Sequence, residues 1–160
     1  MSPPAIALYD AVLFIHVIAV VAGFGVIFTY PMITAMAERR GAADRAFLFR
    51  MQNKVGDRMI IPSLVVIILA GIYLTIDRWD FGEPWIGATL LIALLLGALG
   101  GVFFSPNERR LAELSEQEAS TGEAPGPEYA SRLTRLKFAQ RAGMGLVTLA
   151  VFLMITKPGA

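Results

Sequence analysis

Four stretches of this chain are apolar almost without interruption. They cover 11–37 (AVLFIHVIAVVAGFGVIFTYPMITAMA), 59–76 (MIIPSLVVIILAGIYLTI), 84–104 (PWIGATLLIALLLGALGGVFF) and 142–156 (AGMGLVTLAVFLMIT). A helix crosses a bilayer with roughly 20 apolar residues, so the first three are long enough. The fourth reaches that length when it begins near Phe138. Four such runs in one small chain leave too little polar sequence to cover them in water. The pattern predicts an all-α, four-transmembrane-helix bundle with antiparallel neighbours, in one domain spanning 1–160. Its spans fall at 8–36, 59–76, 84–104 and 138–157.

Polar positions set the expected orientation. Arg39, Arg40, Arg45, Arg50, Lys54 and Arg58 lie between the first two runs, and Arg109, Arg110, Arg132, Arg135, Lys137 and Arg141 between the last two. Only Arg78 and Lys157 flank the other side. By the positive-inside rule, both long connections are cytoplasmic and both termini outside. Met1–Asp10 holds no Lys or Arg, and the run after it is too long for a signal-peptide core, so a retained first span is expected. Trp79 and Trp85 beside the short outer loop suit the membrane interface.

The long connections have patterns of their own. A helix beginning near Arg45 places Phe47, Leu48, Met51 and Val55 on one face. It either lies on the inner membrane surface or extends the second span inward. Pro62 favours a break there, and with it a cytoplasmic interfacial helix. Pro31 is expected to kink the first span. Residues 108–119 continue the third span as helix, 120–127 (STGEAPGP) interrupt it, and 128–141 resume, with Gly126 and Pro127 at the start. Leu111 and Leu114 would meet Leu133 and Leu136 in a cytoplasmic helical hairpin. Glu113, Glu116 and Glu118 on one arm would then face Arg132, Arg135 and Lys137 on the other.

Composition narrows the chemistry. The chain is 56% apolar with a net charge of +1, which offers no basic field for nucleic acid. It has no cysteine, so disulfides, thiolate metal sites and cysteine nucleophiles are excluded. No catalytic constellation and no metal-ligand cluster is visible. Asp10, Asp77, Asp80 and Glu83 form an acidic outer rim that reads as solvated surface.

Small residues recur every four positions in the third run: Thr89, Ala93, Gly97, Gly101 and Ser105. Such stripes let helix backbones approach closely where lipid supplies no hydrophobic drive. Ala93, Gly97 and Gly101 are therefore expected to pack against another helix of the bundle, or a second copy. Gly23 and Ala19 share the face of His16 in the first run.

His16 is the only histidine, and it lies inside an apolar run. Ionisable groups at that depth are costly and mark candidate sites. One reading is a neutral imidazole hydrogen-bonded to Tyr73, Thr89 or Thr148 at similar depth, fixing helix register. The other is axial ligation of haem b, with Met144 or Met154 as second ligand and Gly23, Gly25 and Gly97 making room for the macrocycle. A zinc site lacks ligands, and a proton relay lacks further ionisable groups.

The segments HVIAVVAGFGVIFTYPMI, PSLVVIILAGIYLTI, FGEPW and VFLMITKP resemble a family of bacterial integral-membrane proteins catalogued as a domain of unknown function. More distantly, the layout is similar to the membrane-bound protoporphyrinogen oxidases and the copper-resistance membrane proteins. The resemblance implies a bacterial inner (cytoplasmic) membrane protein. In the oxidases a first-helix histidine and a lysine early in the third helix accompany haem binding and activity. His16 matches the former; the lysine's place falls near Thr89, so the oxidase activity does not carry over. The expectation is a non-enzymatic multi-pass protein in the lipid bilayer, an accessory or structural subunit of a larger membrane complex or a homo-oligomer. The alternative is a haem-b protein for electron transfer or porphyrin oxidation through His16. A transporter would need a coupling site or an internal repeat, and neither is visible.

Overall fold

The computed structural model describes residues 8–159. They form four long helices, Leu8–Glu38, Ala42–Arg78, Pro84–Thr121 and Pro127–Thr156, of 31, 37, 38 and 30 residues, each long and apolar enough to cross a membrane. The chain ends, on which the expected outside termini depend, lie beyond the described residues.

Three of the helices absorb a proline without breaking. Pro31, Pro62 and Pro106 cannot donate to the carbonyls of Ile27, Arg58 and Val102, and their rings crowd those carbonyls. In each case the preceding turn changes pitch. Val26–Thr29 tightens, with the Tyr30 amide bonding the Ile27 carbonyl. Gly56–Ile60 widens, with the Ile61 amide reaching the Gly56 carbonyl five residues back. Gly100–Phe104 widens in the same way, Ser105 to Gly100. The helix then runs on.

This corrects the expectation of a separate interfacial helix. Ala42–Val55 continues through the wide turn into Ile61–Arg78 as one helix, so Pro62 loosens the path without ending it. Its buried face is Ala46, Phe49 and Gln52, and Phe47 points away from the bundle, 66% exposed. That face packs along Ser105–Thr121 of the third helix. Arg45 pairs with Glu118, and Arg50 with Glu116. The acidic arm therefore meets the second helix, not the fourth. Arg132 is paired with Glu128 one turn back, and Lys137 reaches Glu38 of the first helix at 2.6 Å. Gly126 and Pro127 do open the fourth helix, and Leu111, Leu133 and Leu136 do share one cluster, with Leu114 against it.

Two apolar cores result. One joins Ala19, Phe24, Leu64, Ile67, Ala93 and Val147 in the apolar halves of the helices. The other joins Ala37, Phe49, Leu111, Ala112, Tyr129, Leu133 and Leu136 in the polar halves. Along every helix a buried polar residue separates the two: Thr34, Gln52, Glu108 and Gln140.

Candidate functional site: two cavities

The first cavity, of about 340 Å³, is lined by His16 with Tyr9, Trp79, Trp85, Thr89, Met154 and Lys157, within aliphatic walls. His16 is 8% exposed and packs against Gly71 of the second helix, where a Cβ would stand in ordinary contact, 3.4 Å from its Cε1. The backbone of Ile67 stands beside the ring, while Nδ1 has no hydrogen-bond partner. Trp79 and Trp85 meet edge to face at 5.2 Å, and the Lys157 ammonium lies 4.2 Å from the Trp79 ring centre. Trp85 Nε1 is a second buried polar atom without a partner. A buried imidazole, two indole rings and a cation thus line an otherwise mostly apolar space.

The hydroxyls expected near His16 are otherwise engaged. Thr89 lines the same cavity but donates to the Ile86 carbonyl at 3.0 Å. Thr148 is exposed and donates to Met144, and Tyr73 is not among the lining residues. Met154 reaches the cavity; Met144 does not.

The expected packing glycines divide. A Cβ on Gly23 would lie 2.5 Å from the Ser63 Cβ, and one on Gly97 would lie 2.7 Å from Leu64 Cδ2. Both therefore mark close approaches to the second helix and make no room for a ligand. Ala93 is buried in the apolar core. Gly25 and Gly101 are exposed, with nothing within 4 Å of a Cβ built on either. In the loop between the second and third helices, the Gly82 amide donates to Asp80 Oδ1 and Asp77 stands 3.7 Å from Arg78. No metal-holding group of His, Cys, Asp and Glu occurs among the described residues.

The second cavity lies where the three distorted turns meet, and sequence reasoning missed it. Its volume is about 60 Å³, with Tyr30, Asn53, Gly56, Asp57, Gly100, Ser105, Glu108, Gln140 and Gly143 among its walls. Glu108, which opens the 108–119 continuation of the third span, is 2% exposed, and its Oε1 has no partner. Burial, with the Asp57 charge nearby, pushes its carboxyl up to about 8. Beside it runs a buried network. The Gln52 amide donates to the Tyr30 carbonyl at 3.2 Å and to Thr34 Oγ1 at 3.3 Å. Tyr30 donates its hydroxyl to the Gln52 carbonyl at 3.2 Å, and Asn53 donates to Ser105 Oγ at 2.9 Å. Three prolines in register with a glutamate just past the third apolar run were the available signal.

Neither a curated protein nor a solved structure matches the chain. The model of the family described as predicted integral membrane protein (DUF2269) matches residues 10–158, and the chain belongs to that family.

Proposed function

We propose that this is a bacterial inner-membrane protein that binds haem b in the histidine cavity, for electron transfer or porphyrin oxidation. The carrying observation is that His16, buried at 8% exposure, lines a cavity of about 340 Å³ that also holds Met154 and Lys157. His16 and Met154 would offer the iron an imidazole and a thioether, and Lys157 would pair with a carboxylate of the macrocycle. Bound there, the group would supply one-electron redox chemistry. The chain itself would position the ligand: the second helix backs the imidazole at Gly71, and the paired tryptophans wall the opening.

The arrangement that goes with this reading has antiparallel neighbours. It has both termini outside and the polar helix halves, with a hairpin between the third and fourth helices, in the cytoplasm. The two sets of six basic residues support it. Purified in detergent from cells supplied with haem, the wild type should show a Soret band that His16→Ala abolishes. Colourless wild-type protein under those conditions would overturn the reading.

A second reading is an accessory subunit of a larger membrane complex. Gly101 favours it, because this end of the small-residue stripe faces outward with nothing against it, beside Val102 at 81% exposure. Mild-detergent purification should then recover a stoichiometric partner that Gly101→Leu releases. A lone monomer in both proteins would count against it.

A further inference from the structure

We propose that the carboxylate cavity is a binding site for a small monovalent cation, held by the side-chain oxygens of Glu108 and Gln140. The argument is one of unmatched acceptors. Both donor-bearing ends of the buried amides are used: Gln52 on Tyr30 and Thr34, Gln140 on Thr34. Their carbonyl ends, Gln52 Oε1 and Gln140 Oε1, have no donor, and neither does Glu108 Oε1. Gln140 and Glu108 both line the cavity, at 1% and 2% exposure. Three side-chain oxygens of the polar layer are therefore acceptors without a donor.

Charge points the same way. Among the described residues no Lys, Arg or His lines this cavity, whereas Asp57 does, exposed at its edge. A buried carboxyl group must be neutralised, and no side chain here does so, which leaves a proton or a bound cation to do it. Hard oxygen donors select hard cations, and a single buried carboxylate matches one positive charge. The size agrees as well. About 60 Å³ is a few times the roughly 10–15 Å³ that one water requires, which leaves room for a small ion with a water or two.

The fold also supplies backbone. Gly56 and Gly100 open the two wide turns, where the helical hydrogen-bond ladder is irregular, and both line the cavity. A Cβ on Gly56, Gly100 or Gly143 would meet nothing within 4 Å, so the space beside each is real. Wide turns of this kind occur often at functional positions in helices.

The test is thermal unfolding of the full chain in detergent, with sodium chloride against N-methylglucamine chloride at equal ionic strength. Sodium should raise the melting temperature saturably, by a few degrees at concentrations well above its dissociation constant. Glu108→Gln should abolish the increment. Because that variant removes a buried group and risks misfolding, Gly143→Ala provides a second arm. It adds one methyl to open space, should fold normally, and should raise the sodium midpoint at least tenfold. Superimposable sodium and N-methylglucamine curves for the wild type would overturn the proposal, as would an undiminished sodium response in folded Glu108→Gln. A stability change with pH alone, indifferent to sodium, would show that a proton neutralises the carboxylate, and would also overturn it.

Discussion

Gln140 of the fourth helix donates its side-chain amide to the hydroxyl oxygen of Thr34 in the first, 2.9 Å away and 106 residues apart in sequence, with both side chains buried. The same hydroxyl oxygen receives the amide of Gln52 from the second helix. One threonine therefore ties three helices together at the boundary between the two cores. Thr34→Val keeps the shape and removes both acceptor roles, leaving two buried N–H groups to find other partners. Leaving a buried group unsatisfied costs about 1–3 kcal/mol, so the variant should melt several degrees lower in detergent. Combined with Gln140→Leu, the loss should be smaller than the sum, because the second substitution removes one of the stranded donors. Strict additivity would show that the bonds do not operate as a unit.

The close approaches are tested by size. Gly97→Leu must displace Leu64, and Gly23→Ala must displace Ser63, whose Cβ lies 2.5 Å from where the added methyl would sit. Overpacking of this kind costs typically about 1–3 kcal/mol. Gly25→Ala meets open space and should leave the melting temperature unchanged. Equal melting temperatures for Gly23→Ala and Gly25→Ala would contradict the packing described.

What the sequence disclosed follows from which interactions are local. Spanning length, the apolar runs and the Gly126–Pro127 helix start depend on neighbours along the chain, and all are legible in it. The Leu111–Leu133–Leu136 contact was legible too, since a short connection leaves few registers for two adjoining helices. Partners of the acidic arm were not legible. Glu116 and Glu118 have equivalent basic choices on two helices, and only the packing of Ala42–Val55 along Ser105–Thr121 decides between them. Glu108 was hidden for a related reason. Its surroundings, NERR, read as surface, and the residues that bury it come from three other helices. His16 was visible because it is alone in its run. Gly71, which packs against it, looks like any other membrane glycine.

Glu128 should give the polar half an acid-sensitive component. Hydrogen bonds from Arg110 and from Arg132 hold its carboxyl down to about 2, against an ordinary value of 4.5. A carboxyl lowered in the fold contributes stability that is complete above its unfolded value and is lost as the pH falls toward its folded one. The window is therefore about pH 4.5 down to about 2. In unfolding measured across it, Glu128→Gln should show a shallower acid decline than the wild type. The group is fully solvated, so the difference should be small and should shrink further in high salt. An identical slope in both proteins at low salt would rule out this role for the Arg110–Glu128–Arg132 cluster.

The two ion pairs between the second and third helices differ in burial, and that difference should decide their worth. Arg45 and Glu118 are 14% and 19% exposed, and the Arg45 guanidinium also lies 5.5 Å from the centre of the Tyr129 ring. Arg50 and Glu116 are 50% and 47% exposed. Water screens the second pair, so Glu116→Gln should cost about 0–1 kcal/mol. Glu118→Gln leaves a largely desolvated cation whose Nε already lacks a partner, facing only an aromatic ring. Removing one member of a fully buried pair costs about 3–5 kcal/mol, and residual solvent contact should bring this one somewhat below that range. Melting temperatures of the two variants in the same detergent should therefore separate clearly, with Glu118→Gln the lower. Replacing both Arg45 and Glu118 with Met and Leu should recover much of the loss, since no charge then remains to be solvated. If Glu118→Gln and Glu116→Gln melt together, the Arg45 guanidinium is better hydrated than its burial against Tyr129 indicates.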